Sequence, residues 1–261
     1  MDESDVQSRW AKELGLAGSI RVLSGNLWWG KADPDGLIDL IRDYQVDVFA
    51  AQELGHENAE AISSELPHGC LEPDGAFQGM GIALRHPGAY DRIPMYFRDA
   101  RRVVLQPADW PGLECPVDLV NVHFHAPHAI RPFPSVMVRW RQARDLDKFL
   151  DANASDTRLI VGDYNATPHW PLYKRYLRRF SDGAIEAAQR EGRAVQGTWG
   201  PRPGSPRLLR IDHAMVRGLT VERFKVVGIP GSDHSALIFD CTPGRRDEPR
   251  PKHEAGAARL V

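Results

Sequence analysis

Two short runs hold the side chains best suited to chemistry: Gly162-Asp163-Tyr164-Asn165 and Gly231-Ser232-Asp233-His234. Each sets an acid and a second polar group beside a run of β-forming residues. Leu159-Ile160-Val161 leads into the first, and Ala236-Leu237-Ile238-Phe239 leads out of the second. Asn26, Glu53 and His123 stand at comparable ends of apolar segments. Carboxylates, amides and imidazoles gathered at strand ends are the materials of metal-assisted hydrolysis. Singly, each is ordinary, since Asp and Asn after a strand cap helices and form turns. Their joint occurrence points to a site.

The bond such a set would attack is a phosphate ester. Its anionic centre repels nucleophiles, and the departing oxygen must take up charge. Hydrolysis therefore needs a divalent cation, a base for water, donors around the phosphoryl oxygens and a frame that orients them. Magnesium prefers a few hard oxygen ligands at about 2.1 Å and keeps several waters. Asn26 and Glu53 can supply such oxygens. Asp163 can act as the base, with Asn165 holding the water or a phosphoryl oxygen. His234 can face the phosphate, and Asp212, in Arg210-Ile211-Asp212-His213, can hold that imidazole charged and oriented.

Period-two alternation and β-branched content predict strands that position these groups: Ile20 to Leu27, Val46 to Gln52, Met80 to Arg85, Val117 to His123, Leu159 to Val161, Leu208 to Val216 and Ser235 to Cys241. Helices are expected between them. Asp33 offers an N-cap before Pro34, with Leu37, Ile38, Ile41 and Tyr44 on one face. A short helix is expected over Asn58 to Leu66. Ser135 to Leu150 carries Val136, Trp140, Ala143, Leu146 and Leu150 at helical spacing, its arginines forming a solvated face from which one can turn toward the active rim. Trp170 to Phe180 carries Tyr173, Tyr176, Leu177 and Phe180. Hairpin-like successions between Met80 and His123 favour two mixed sheets sandwiched by helices over one parallel sheet.

Six short motifs occur in order: Ser24-Gly25-Asn26-Leu27-Trp28, Ala51-Gln52-Glu53, Asn121-Val122-His123, Gly162-Asp163-Tyr164-Asn165, Ile211-Asp212-His213 and Ser232-Asp233-His234-Ser235. Together they resemble the endonuclease/exonuclease/phosphatase superfamily, from about Arg21 to Asp240. The resemblance implies the DNase I-like fold, a four-layer α/β sandwich of two mixed sheets packed face to face and flanked by helices. It also implies a Mg2+- or Mn2+-dependent hydrolase of phosphate esters. Glu53 would be the principal metal ligand, helped by Asn26, with Asp233 in or beside the metal shell. Asp163 and Asn165 would handle the attacking water. His234, paired to Asp212, would contact the scissile phosphate. His123 matches a phosphate-contacting histidine, favoured over His125 by the strand reading alone. Tyr164 stands where Phe is commoner.

The loop from Pro127 to Pro134 follows His125 and is expected to overhang the site, making His125 and Arg131 candidates for substrate contact. Trp28 and Trp29 read as packing residues rather than substrate flanks.

The 261 residues, 42% hydrophobic and 26% charged, fit a soluble globular chain with a large core. A formal net charge of −2 provides no global attraction for nucleic acid or anionic membrane, although the arginines allow a local basic groove. The three cysteines, Cys70, Cys115 and Cys241, lack metal-ligand spacing and read as free thiols of a reducing compartment. The acidic start, Met1-Asp2-Glu3-Ser4-Asp5, is no secretory signal, and no apolar run spans a bilayer. A monomeric cytoplasmic enzyme is expected, with a single domain over 19–242, an N-terminal extension over 1–18 and a proline- and charge-rich disordered tail over 243–261. The expected substrate is a phosphodiester of nucleic acid or nucleotide, ahead of a small phosphorylated metabolite or lipid headgroup. A catalytically silent phosphate-binding module is the alternative of another class.

Overall fold

The computed structural model describes residues 18–75, 77–127 and 132–244. Twelve strands form two six-stranded sheets. The first sheet contains β1 (Ile20–Asn26), β2 (Val48–Gln52), β3 (His68–Glu72), β4 (Met80–Leu84), β11 (Leu219–Gly228) and β12 (Ser235–Pro243), in the order β11-β12-β1-β2-β4-β3. The second contains β5 (Ala89–Ile93), β6 (Ala100–Leu105), β7 (Val117–His123), β8 (Arg158–Asp163), β9 (Ser181–Asp182) and β10 (Asp212–Arg217), in the order β5-β6-β7-β8-β10-β9. Each sheet holds one parallel pair, β1 with β2 and β7 with β8, and every other neighbouring pair is antiparallel. The two sheets thus repeat one pattern of strand directions that the sequence does not display as a repeat.

Five helices lie among the described residues: α1 (Pro34–Asp43), α2 (His56–Glu65), α3 (Pro132–Ala152), α4 (Pro171–Leu177) and α5 (Gly183–Glu191). Strand periodicity sorts the core into layers. Val22, Val48, Leu119, Leu159, Val161, Ala214, Leu237 and Phe239 pack in the cluster between the sheets. Leu23, Phe49 and Ile238 point outward against Leu37, Ile41 and Ile62 of α1 and α2. Val120, Val122, Ile160 and Met215 point outward against Ala143, Leu146, Tyr173 and Tyr176 of α3 and α4. Burial on both faces explains why the central strands read as nearly unbroken apolar runs. Each fully buried Leu, Ile or Val contributes about 1.5–3 kcal/mol.

Several local expectations need correction. Asp33 sits at the N-cap of α1, but its side chain makes no capping bond. Leu40, not Ile38, completes that helix's buried face. In α3 the buried side includes Val138, Arg139, Gln142, Ala143 and Leu146, whereas Val136 and Trp140 point to solvent. Leu177 of α4 is likewise exposed. The stretch from Leu208 to Ile211 precedes β10, with Leu208 and Leu209 exposed. Cys70 and Cys115 are partly buried and Cys241 is fully so, all three as free thiols.

Candidate active site

The alternation that buries Val22, Val48, Leu119, Leu159 and Ala214 between the sheets carries Asn26, Gln52, His123, Asp163 and Asp212 onto the same inner faces. The ladder then brings them to one end. Asn26 is paired with Gln52 across β1 and β2, and His123 with Asp163 across β7 and β8. Asp212 is paired with Asp163 across β10 and β8. Parallel strands end where their antiparallel neighbours begin, so Glu53 after β2 and His234 before β12 join the same mouth. Gly162 makes the approach possible: at its φ of 136° a Cβ would lie 2.0 Å from the Val122 carbonyl oxygen.

Asn26 spans the two acids. Its Nδ2 donates to Glu53 Oε1 at 3.2 Å and to Asp163 Oδ2 at 3.1 Å, while its Oδ1 accepts the Trp28 N–H at 2.9 Å. The amide therefore presents its donor, not its oxygen, to the acids. Glu53 Oε2 accepts the Trp29 N–H at 2.8 Å. Burial raises the Glu53 pKa, against the pull of these donors. Trp28, Trp29, Glu53 and Asn165 all adopt left-handed backbone conformations around this mouth, strain of the kind that concentrates where geometry must be held. The turn leaves Trp29 56% exposed, contrary to its expected packing role.

Asp163 receives hydrogen bonds from the Asn165 backbone N–H at 2.7 Å and the Asn165 side-chain amide at 2.9 Å. Burial, reinforced by the Asp212 carboxylate, lifts its pKa to about 7. His234 Nδ1 lies 3.0 Å from Asp212 Oδ2, and its Nε2 is 3.9 Å from Asp163 Oδ2. Burial disfavours the charge on His234, but Asp212 outweighs it and raises the pKa to about 10. The imidazole is thus a cation at neutral pH. His123 behaves oppositely. Its Nε2 lies 3.6 Å from Glu53 and 3.5 Å from Asp163, but burial and the nearby Arg98 push its pKa well below 6.5. Those contacts are therefore made by a neutral ring, whose buried Nδ1 has no hydrogen-bond partner among the described residues.

Asp233 turns aside. Its Oδ2 accepts from Trp199 Nε1 at 3.0 Å, and its Oδ1 is buried without a partner among the described residues. His125 is buried: its backbone N–H donates to Gln142 Oε1 at 2.9 Å, and its ring packs edge-on against Phe97 at 5.0 Å. Arg131 falls outside the described residues. Tyr164 is a core residue packed against Phe124 and Tyr176.

Three arginines without a local sequence signal also serve this end of the fold. Arg98, in the turn between β5 and β6, is buried beside the acids and donates to the His123 carbonyl at 3.4 Å. Burial lowers its pKa to about 10, opposed by Glu53 and Asp163. Arg139 of α3 donates to the carbonyls of His125 at 2.9 Å and Asn165 at 2.8 Å. Arg207 grips the turn before β12, donating to the carbonyls of Asp233 at 2.6 Å and His234 at 2.9 Å and to Ser235 Oγ at 2.8 Å. Gln52 and Asn121, bonded at 2.7 Å, link the two sheets directly below the mouth.

The donor chemistry fits a hard divalent cation: carboxylate oxygens of Glu53 and Asp163 face a common space, and no cysteine is among them. One atom each of Asp163, Asp212 and His234 also lies within 4.8 Å of the others. These three could therefore also hold an ion.

The sequence matches the Endonuclease/Exonuclease/phosphatase family over residues 23–234. No curated protein matches it significantly. Similar solved structures include an endonuclease/exonuclease/phosphatase from Beutenbergia cavernae, with 19% identity, 87% of this chain and 72% of that one covered, and a TM-score of 0.65. The human Nocturnin catalytic domain with bound sulfate has 17% identity, 88% and 96% coverage and a TM-score of 0.63. A mannosyl-6-phosphatase from Bacteroides thetaiotaomicron has 16% identity, 85% and 99% coverage and a TM-score of 0.61. At such identities these neighbours speak for the fold, and they agree with the two mixed sheets flanked by helices. The match over residues 23–234 embraces every side chain placed around the mouth from Asn26 to His234, and the chain belongs to the endonuclease/exonuclease/phosphatase family.

Proposed function

We propose that this protein hydrolyses a phosphate ester by in-line attack of water, with Mg2+ or Mn2+ bound chiefly by Glu53. The observation that carries this reading is the convergence of Asp163, Asn165 and the Asp212–His234 pair beside Glu53 at one buried mouth. A bound cation would neutralise charge on the phosphoryl group and the departing oxygen. Asp163, with its pKa raised to about 7, is matched to accept a proton from water near neutral pH. Asn165 fixes that carboxylate with two hydrogen bonds and leaves its amide oxygen to orient the water. His234, kept cationic by Asp212, would donate to a phosphoryl oxygen as negative charge builds there. His123, whose burial favours the neutral ring, would supply a hydrogen bond without adding positive charge beside the cation. Arg98 adds a fixed positive charge beneath the same space, and Asn26 keeps Glu53 and Asp163 at their separation. Asp233 would act through Trp199 and the turn rather than as a metal ligand.

The favoured substrate is a phosphodiester of nucleic acid or nucleotide, in the cytoplasm, where free thiols persist. No helix among the described residues is long and apolar enough to cross a membrane. The test is a Mg2+- and Mn2+-supplemented panel of bis-p-nitrophenyl phosphate, single-stranded and duplex DNA, RNA, nucleotides, sugar phosphates and lipid headgroups. Turnover of phosphodiesters supports the reading. Turnover confined to sugar phosphates makes the protein a monoesterase, and none with any metal leaves a binding module.

A further inference from the structure

A cavity of about 640 Å3 opens between α3 and α4. Trp140 and Trp170 line it, 62% and 38% exposed, together with Arg139, Arg175 and Arg178. Among the described residues no carboxylate lines it. The guanidinium carbon of Arg175 lies 5.6 Å from the Trp140 ring centroid, and that of Arg139 lies 5.2 Å from the Trp170 ring. Two exposed tryptophans lining one concavity form the kind of apolar groove that marks a ligand site. Arg139 is itself buried, and its Nη2 has no hydrogen-bond partner among the described residues. Its Nη1 bonds the carbonyl of Asn165, whose amide bonds Asp163, so the cavity is one residue removed from the proposed base.

We propose that this cavity binds an unstacked nucleobase of the substrate, on the indole faces of Trp140 and Trp170, with an adjoining phosphate on Arg139 and Arg178. The proposal deepens the phosphoesterase reading and rests on it for placing the scissile ester at Asp163. Arg175 is paired to Asp147, which leaves the guanidinium groups of Arg139 and Arg178 beside the planar rings, an arrangement that complements a flat aromatic group bearing a phosphate. A membrane would instead take side chains that protrude, whereas these surround a concavity floored by a buried arginine. Bases within a duplex have both faces covered by their neighbours and cannot enter. The site therefore selects nucleotides or single strands.

Binding is measured in EDTA, so that nothing is hydrolysed, using AMP, a short fluorescein-labelled oligothymidylate, the matching duplex and phosphatidylserine vesicles. Trp140→Leu and Trp170→Leu should each weaken AMP and single-strand binding by roughly fivefold to a hundredfold, the scale of base–aromatic stacking. Trp140→Phe should keep most of the affinity, since it keeps a ring. Trp140 is exposed, so its variants do not depend on refilling a core, and melting curves check each fold. Tighter binding of the oligonucleotide than of AMP identifies a strand as the occupant, and equal binding identifies a mononucleotide. Unchanged affinity in both leucine variants overturns the proposal, as does wild-type binding to vesicles in preference to both nucleotide probes. Wild-type turnover of bis-p-nitrophenyl phosphate with Mn2+, measured in parallel, reports on the phosphoesterase reading separately. Turnover with unchanged affinities overturns only the cavity, and no turnover with the stacking losses intact overturns only the chemistry.

Discussion

Asp212 Oδ2 and His234 Nδ1 meet at 3.0 Å across the interface between the two sheets, one at the start of β10 and the other just before β12. Asn26 and Asp163 are bonded across the same interface, as are Gln52 and Asn121. The mouth is thus a place where each half of the sandwich completes the other. Small shifts between the sheets would separate proton-handling groups that lie far apart in the chain.

Asp212 and His234 should therefore act as a unit. Asp212→Asn and His234→Ala should each lower kcat/KM by roughly 10²–10⁴-fold, the range of general acid–base effects. The double variant should be little worse than the poorer single one. Strictly additive losses in the double-mutant cycle would mean that the carboxylate does not work through the imidazole.

The two histidines of His123-Phe124-His125 point to different surroundings, although both are buried. His123 Nε2 faces Glu53 and Asp163, whereas the His125 ring packs on Phe97. His123→Ala should cost at least about tenfold more in kcat than His125→Ala, given the size of transition-state hydrogen-bond losses. The reverse order in steady-state kinetics would move the phosphate contact to His125.

His213, next to Asp212 in the chain, offers a pH test of stability. Its Nε2 lies 2.7 Å from the Ala166 carbonyl oxygen, and burial with the neighbouring Arg210 holds its pKa down at about 4. In the unfolded chain it titrates at about 6.5. Between these values the unfolded state binds more protons, so the stability tied to neutral His213 is complete above about 6.5 and is lost as pH falls toward 4. Thermal melts over this window should show a shallower decline for His213→Gln, which keeps an amide donor for Ala166. Parallel curves would show that this histidine does not set the acid limit.

Glu53→Gln should raise the Mg2+ or Mn2+ concentration needed for half-maximal activity by roughly tenfold or more, because it removes the charge of the chief proposed ligand, and charge count tunes such sites. Wild-type activity should vanish in EDTA and return with added metal. A superimposable metal titration for the variant removes Glu53 from the cation site.

Most of this site was legible because it lies on strand ends, where one apolar run fixes both register and facing. Val117 to His123 matched β7 residue for residue. The overlooked strands are instructive: β3, β5, β9 and β11 are the four sheet edges, and β6 lies next to one. Ala89–Ile93 alternates exposed Asp91 with part-buried Tyr90, as an edge strand does, and so lacks the unbroken apolar run of a central strand. Arg98, and which arginine of α3 turns toward the rim, were hidden for another reason. Arg98 lies in a turn, and Arg139 shares a helix with Arg141 and Arg144, so only tertiary packing shows that Arg139 alone turns inward. The face of α3 was misplaced because Val136 and Trp140 are apolar yet exposed, which is where the cavity between α3 and α4 draws its lining.

The most direct measurement compares wild type and Asp163→Asn on bis-p-nitrophenyl phosphate with saturating Mn2+, after both are shown to be folded by melting. The substitution keeps the shape of the side chain and removes its capacity to take a proton. The wild type should turn over, and the variant should be slower by roughly 10²–10⁴-fold, the range of a lost general base. A folded variant retaining more than about a tenth of the wild-type rate would contradict the role assigned to Asp163, since no general base of that magnitude would have been removed.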